Sequence, residues 1–133
     1  MKAADLIRIH EGLRLKTYTC TAGKLTIGYG HNLDDNGISK DMAEFILQRD
    51  IEDAEAHLKQ YFWFEDLDPG RRAAITDMMF NLGSTRFSGF HNMIIALGEG
   101  DFETAAKEAE DSKWFKQVGK RGETIVRIIR SGA

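Results

Sequence analysis

The segment from Asp68-Pro69 to Gly83 constrains the fold of this chain more than any other. Asp68 is a good helix N-cap, Pro69 suits the first helical position and Gly83 is a natural stop, so both ends of the intervening helix are marked. Ala73, Ala74, Ile75, Met78, Met79 and Leu82 leave that helix almost entirely apolar, which places it at the centre of the larger part of the fold. Shorter helices are predicted to follow over residues 85–90, 91–98, 101–111, 113–117 and 120–130, with Asp101 and Ser112 as caps. Upstream, Ser39 caps a helix running from Lys40 to about Gln60, with Ile38, Met42, Phe45, Ile46, Ile51, Ala54 and Leu58 at helical spacing. About 20 residues of helix span roughly 30 Å, long enough to connect two lobes.

The start of the chain has a different rhythm. Ala3, Leu6, Ile7 and His10 share one face of a helix over residues 3–11, which Gly12 stops. Leu15, Thr17, Tyr18 and Thr19 then precede a turn at Thr21-Ala22-Gly23, and Lys24-Leu25-Thr26-Ile27-Gly28-Tyr29 follows it, which predicts a small antiparallel hairpin sheet. Gly28 and Gly30 weaken such a strand unless something approaches the backbone closely. Asp34-Asp35-Asn36-Gly37 has the composition of a turn. The fold class is therefore α+β, with a small sheet near the N-terminus and a mostly helical remainder.

With 133 residues the chain fits a single domain, and its 42% hydrophobic and 29% charged residues are ordinary for a globular protein. No partner is needed to explain how it folds, and a monomer is expected. One cysteine excludes an internal disulfide, and no Cys/His set has the spacing of a zinc site, so neither metal nor cofactor is implied. Met78, Met79, Met93, Met42, Trp114 and Phe115 are assigned to the core.

The formal net charge of −3 makes no general case for nucleic acid. Its distribution is uneven: residues 41–68 hold nine acids against two bases, while residues 113–130 hold six bases against Glu123. Solvated helix faces are the plain explanation; a basic rim for an acidic polymer is the sharper one. No apolar run approaches 18 residues and the N-terminus enters an amphipathic helix directly, so synthesis in a cytoplasm is expected.

The chemistry is expected between Ile9 and His31. Glu11 closes the first helix, where the negative end of the helix dipole disfavours ionisation and should raise its pKa if the site is also partly dry. Cys20, Thr26 and His31 follow in the Gly-punctuated hairpin. A free thiol is mostly neutral at pH 7, so Cys20 by itself is neither a good base nor a cation stabiliser.

These residues resemble the phage-type lysozymes, the T-even phage lysozyme and endolysin family of glycoside hydrolases. That family's pattern is a Glu, eight residues, an Asp or Cys, five residues and a Thr, and Glu11, Cys20 and Thr26 keep both spacings. Glu11 to Lys16, Thr26 to His31, Ile38 to Asp41, Leu67-Asp68 with Arg71 to Ala74, and Ser112 to Phe115 resemble family segments in the same order. The resemblance covers essentially the whole chain, which looks trimmed between Asn32 and Ile38 and short after Arg130.

The resemblance implies a two-lobed lysozyme-like fold, with an N-terminal lobe of about 12–58, a C-terminal lobe of about 1–11 plus 59–133, and peptidoglycan bound between them. It implies hydrolysis of the β-1,4 bond between N-acetylmuramic acid and N-acetylglucosamine, with Glu11 as acid and Thr26 holding a water. The role of Cys20 stays open between a thiolate of depressed pKa, a merely permissive residue and a covalent nucleophile. His31 resembles a structural histidine that pairs with an acid on the long helix, and Asp50 stands at the matching position. Tyr29, Phe80, Asn81 and Arg121 are weaker substrate-binding candidates, because sugars are held by aromatic faces and by amide or guanidinium donors.

An endolysin would act on the wall, in the periplasm, only after a holin or a similar protein has permeabilised the membrane. The alternatives are a lytic transglycosylase on the same bond, or a weakly catalytic protein that binds the wall or acts on membranes through its basic C-terminal helix.

Overall fold

The computed structural model describes residues 1–133. They form two compact units, Met1–Ile46 and Leu47–Ala133.

In the first unit, helix α1 (Ala3–Glu11) ends at Gly12, which takes a φ of 68° and donates its N–H to the Arg8 carbonyl. Strands β1 (Arg14–Thr19), β2 (Leu25–Gly28) and β3 (His31–Asn32) form an antiparallel sheet in the order β1-β2-β3. Tyr18 opposes Thr26 and Thr19 opposes Leu25, with an irregularity between Arg14 and Tyr18. Across the Gly-bearing bend, Thr26 opposes Asn32 and Ile27 opposes His31. The hairpin was expected from its period; β3, only two residues long, adds a third strand that no local pattern announces.

The acidic turn is also more ordered than its composition suggests. Leu33–Asn36 forms a single helical turn, α2, capped by Asn32, whose Oδ1 accepts from Asp35 N–H at 3.0 Å. Asp34 accepts from the Leu25 N–H and Asp35 pairs with Lys24 at 3.0 Å, so both acids tie the turn back to the start of β2. Ser39 then caps helix α3 (Lys40–Leu58), accepting from Met42 N–H at 3.2 Å.

The apolar stripe of α3 is buried only near its end, at Ala54 and Leu58. Met42, assigned to the core from its helical spacing, is 51% exposed, and Ile38, Phe45 and Ile46 are exposed as well. α1 has no buried residue either, and it groups with the hairpin layer rather than with the residues after 59. Thr26 is the one buried residue of the first unit. A three-stranded sheet with α1, the single turn of α2 and the start of α3 has too little interior to enclose these side chains, since small units bury the smallest share of their surface.

The second unit holds the core. A 3₁₀ turn (Phe64–Asp66) leads to α4 (Pro69–Leu82), whose N-cap Asp68 accepts from Arg71 N–H. Helices α5 (Ser84–Ser88), α6 (His91–Gly98), α7 (Phe102–Glu110), α8 (Lys113–Val118) and α9 (Lys120–Ser131) follow, with Asp101 and Ser112 as the caps anticipated for α7 and α8. Ile75, Met78 and Met79 of α4 lie with Leu58, Phe64, Phe87, Met93, Ile125 and Ile129 in one buried cluster. Each such side chain contributes about 1.5–3 kcal/mol by leaving water. Ala105, Ala106 and Ala109 give α7 a smooth face on which α9 packs closely.

Ile125, Val126 and Ile129 are buried, so the apolar side of the basic last helix serves its own unit rather than a membrane. Arg71 fastens that helix to the start of α4: its Nε and Nη2 donate to the carbonyls of Ile129 and Arg130, and its Nη1 donates to Asp68. The Phe102 ring lies 3.8 Å from its guanidinium carbon. No helix is long and apolar enough to cross a membrane.

Candidate active site

Glu11 is the last residue of α1, and its side chain lies over Gly30 in the bend between β2 and β3. A Cβ at Gly30 would stand 2.6 Å from Glu11 Oε2 and 2.8 Å from its Cδ. Gly30 also has a φ of 73°, so its backbone favours glycine, and a Cβ there would push the flexible Glu11 carboxylate aside. This is the close approach that the Gly-punctuated strand foreshadowed. Gly28 has a different reason, a φ of 71° with no atom near a Cβ. Glu11 itself is exposed, so the first unit does not supply the dry setting that the helix-end argument requires.

Cys20 and Thr26 belong to the same sheet. The Cys20 carbonyl accepts from Gly23 N–H at 2.9 Å and its own N–H donates to Lys24 O at 2.9 Å, closing the turn between β1 and β2. The Cys20 thiol titrates below the ordinary cysteine value because it accepts hydrogen bonds, first from the Lys24 and Ala22 backbones and then from the Thr26 side chain. Slight desolvation works the other way and loses.

Thr26 sits on the central strand and is only 3% exposed. Its hydroxyl donates to Lys24 O at 2.9 Å, which leaves its oxygen free to accept. When Cys20 ionises, the same hydrogen is wanted by sulfur, so the two residues are chemically coupled.

His31 is exposed, and its Nε2 lies 2.7 Å from the Gly37 carbonyl, pinning β3 to the residues just ahead of α3. Asp50 is on the portion of α3 that belongs to the second unit. Tyr29, in the bend, is 43% exposed and has the Arg8 guanidinium 5.9 Å from its ring centre.

The remaining substrate-binding candidates are in the second unit. Phe80 and Arg121 line one cavity of about 550 Å³, together with Leu47, Ile51, Ala73 and Asp77. Asn81, one residue beyond Phe80, accepts from Trp114 Nε1 at 2.8 Å through its Oδ1, which leaves its Nδ2 hydrogens to donate. Asp77 was not singled out from the sequence, although an acid set between Ile75 and Met78 in α4 is an available signal.

A helix-end glutamate set over a glycine bend, a thiol and a buried hydroxyl on one small sheet, and a helical unit built around α4 define a lysozyme-like α+β protein. The chain belongs to the phage lysozyme family, whose model matches residues 8–130.

Among its relatives is the endolysin of Acyrthosiphon pisum secondary endosymbiont phage 1, 38% identical over 126 residues that cover 90% of this chain and 83% of the endolysin. The probable T4-type lysozyme 2 of Dictyostelium discoideum is 25% identical and is covered over 93% of its length by 96% of this chain. The pre-baseplate central spike protein Gp5 of Enterobacteria phage T4 is 28% identical over 99% of this chain, which spans 28% of that protein.

Proposed function

We propose that the chain is a peptidoglycan-lytic endolysin that hydrolyses the β-1,4 bond between N-acetylmuramic acid and N-acetylglucosamine. The observation that carries this reading is the placement of Glu11 over Gly30, on the same unit as Cys20 and Thr26, in a member of the phage lysozyme family.

Glycoside hydrolysis needs an acid for the leaving oxygen and a group that delivers or becomes the nucleophile at the oxocarbenium-like carbon. Glu11 donates the proton to the glycosidic oxygen. Thr26, whose single hydrogen goes to the Lys24 carbonyl or to the Cys20 sulfur, accepts a hydrogen from a water and so orients that water toward the anomeric carbon. Cys20, acidified by its turn, takes the proton the water gives up. His31 holds the hairpin in place through the Gly37 carbonyl.

The product ends test the bond and the reaction. Digestion of purified peptidoglycan should release fragments with reducing muramoyl ends, identified by mass before and after borohydride reduction. Anhydro-muramoyl ends would make the protein a lytic transglycosylase, and reducing glucosaminyl ends would move the cleaved bond. Access to the wall is proposed to depend on a holin or another membrane-permeabilising partner. Expression in a bacterial cytoplasm should leave cells intact until such a partner is co-expressed.

A further inference from the structure

We infer that Asp77 is a positioning residue for Arg121, holding its guanidinium in the orientation from which it serves as a donor to the glycan. The inference rests on the muramidase reading above. Arg121 stands in the first turn of α9, and Asp77 lies midway along α4. Arg121 Nε donates to Asp77 Oδ1 at 2.7 Å and Nη2 donates to the same oxygen at 2.5 Å, while Nη2 also reaches the Asp77 carbonyl at 3.5 Å. Nη1 has no partner within the chain. Asp77, Arg121 and the exposed ring of Phe80 line the same cavity of about 550 Å³.

The side chains of Arg121 and Asp77 remain 39% and 47% exposed, and ion pairs so open to water do little for stability. What the pair does instead is to fix a long, flexible side chain before any ligand arrives. An unrestrained arginine loses much rotamer freedom when it binds, whereas Arg121 has already lost most of it, so Nη1 is offered at a smaller entropic cost. The carboxylate also offsets the guanidinium charge. Arg121 therefore acts as a directional donor, suited to a neutral acceptor such as an acetamido carbonyl or a sugar hydroxyl, rather than as a general attractor of anions.

The test compares Asp77→Ala, Asp77→Asn, Arg121→Ala and the Asp77→Ala/Arg121→Ala double variant in the full chain, reading kcat and KM on soluble peptidoglycan fragments alongside Tm. Asp77→Ala should raise KM about tenfold with kcat and Tm little changed. Asp77→Asn, whose amide oxygen still accepts from Nε–H, should recover most of the loss. The double variant should be no worse than Arg121→Ala alone, because Asp77 acts only through Arg121.

Losses that multiply in the double variant would overturn the inference, as would a wild-type KM in Asp77→Ala or a loss that merely follows Tm. If the wild-type protein releases no muramoyl ends, the muramidase reading fails by itself. The same four variants are then read as the Kd for the fragments in the Glu11→Gln background, where an affinity unchanged by Asp77→Ala, or absent throughout, overturns the role of Asp77.

Discussion

The carboxylate of Glu11 occupies the space that a side chain at Gly30 would need, with Oε2 2.6 Å from the position of the missing Cβ. The end of α1 and the bend between β2 and β3 thus fit each other by the absence of one methyl group. Gly30→Ala must displace the carboxylate and also hold alanine at a φ of 73°. Displacing a reacting group by about 1 Å costs on the order of 100-fold in rate, while the strained backbone costs about 1–3 kcal/mol. Kinetics on purified peptidoglycan, corrected for the folded fraction from a melting curve, should show the catalytic loss exceeding the loss of folded protein.

Cys20 should react with iodoacetamide along a pH profile whose midpoint lies below that of an ordinary thiol, since the Lys24 and Ala22 backbones and the Thr26 hydroxyl favour the thiolate. Thr26→Val removes one of these donors and should shift the midpoint upward. The direction of the shift is what the measurement reads. A profile unchanged in Thr26→Val would separate the two residues that the sheet brings together.

The Arg71 clamp predicts how the second unit responds to substitution and acid. Arg71→Ala removes hydrogen bonds from a guanidinium to the Ile129 and Arg130 carbonyls and should cost about 2 kcal/mol in urea unfolding. Partial burial pushes the Asp68 carboxyl upward, but the Arg71 side-chain and backbone hydrogen bonds and the Arg71 charge outweigh it and hold the carboxyl below the ordinary aspartate range. The pair's contribution is therefore present above the unfolded pKa and fades as the pH falls from about 4 downward, through the folded value. In Asp68→Asn that part of the acid sensitivity should be lost, while the helix cap is largely kept.

Asn81 tests the division between scaffold and site. Asn81→Ala leaves the buried Trp114 N–H without its acceptor, which costs about 1–3 kcal/mol. Melting should reveal that cost, with KM for glycan fragments unchanged.

The parts of this fold that could be read directly from the sequence are those written in neighbouring residues. Asp68-Pro69 and Gly83 bound α4 as expected, Asp101 and Ser112 cap their helices, and the period change after Gly12 marks the sheet. The short strand β3 was missed because its pairing with Ile27 depends on the bend, not on the two residues themselves. Met42 carries the spacing of a buried helix face, yet burial needs a partner surface, and spacing alone does not provide one. The Glu11 approach was legible only as two unexplained glycines. Asp77 was not legible as a partner of Arg121, because 44 residues separate two halves of one interaction.

The most direct test of the account is the initial rate at which Glu11→Gln clears purified peptidoglycan, measured beside the wild-type protein at equal folded concentration. Glutamine keeps the size and polarity of the side chain but has no proton to give the glycosidic oxygen, so the rate should fall by at least about 100-fold with Tm nearly unchanged. Clearing at the wild-type rate would contradict the assignment of Glu11 as the acid and the mechanism built on it.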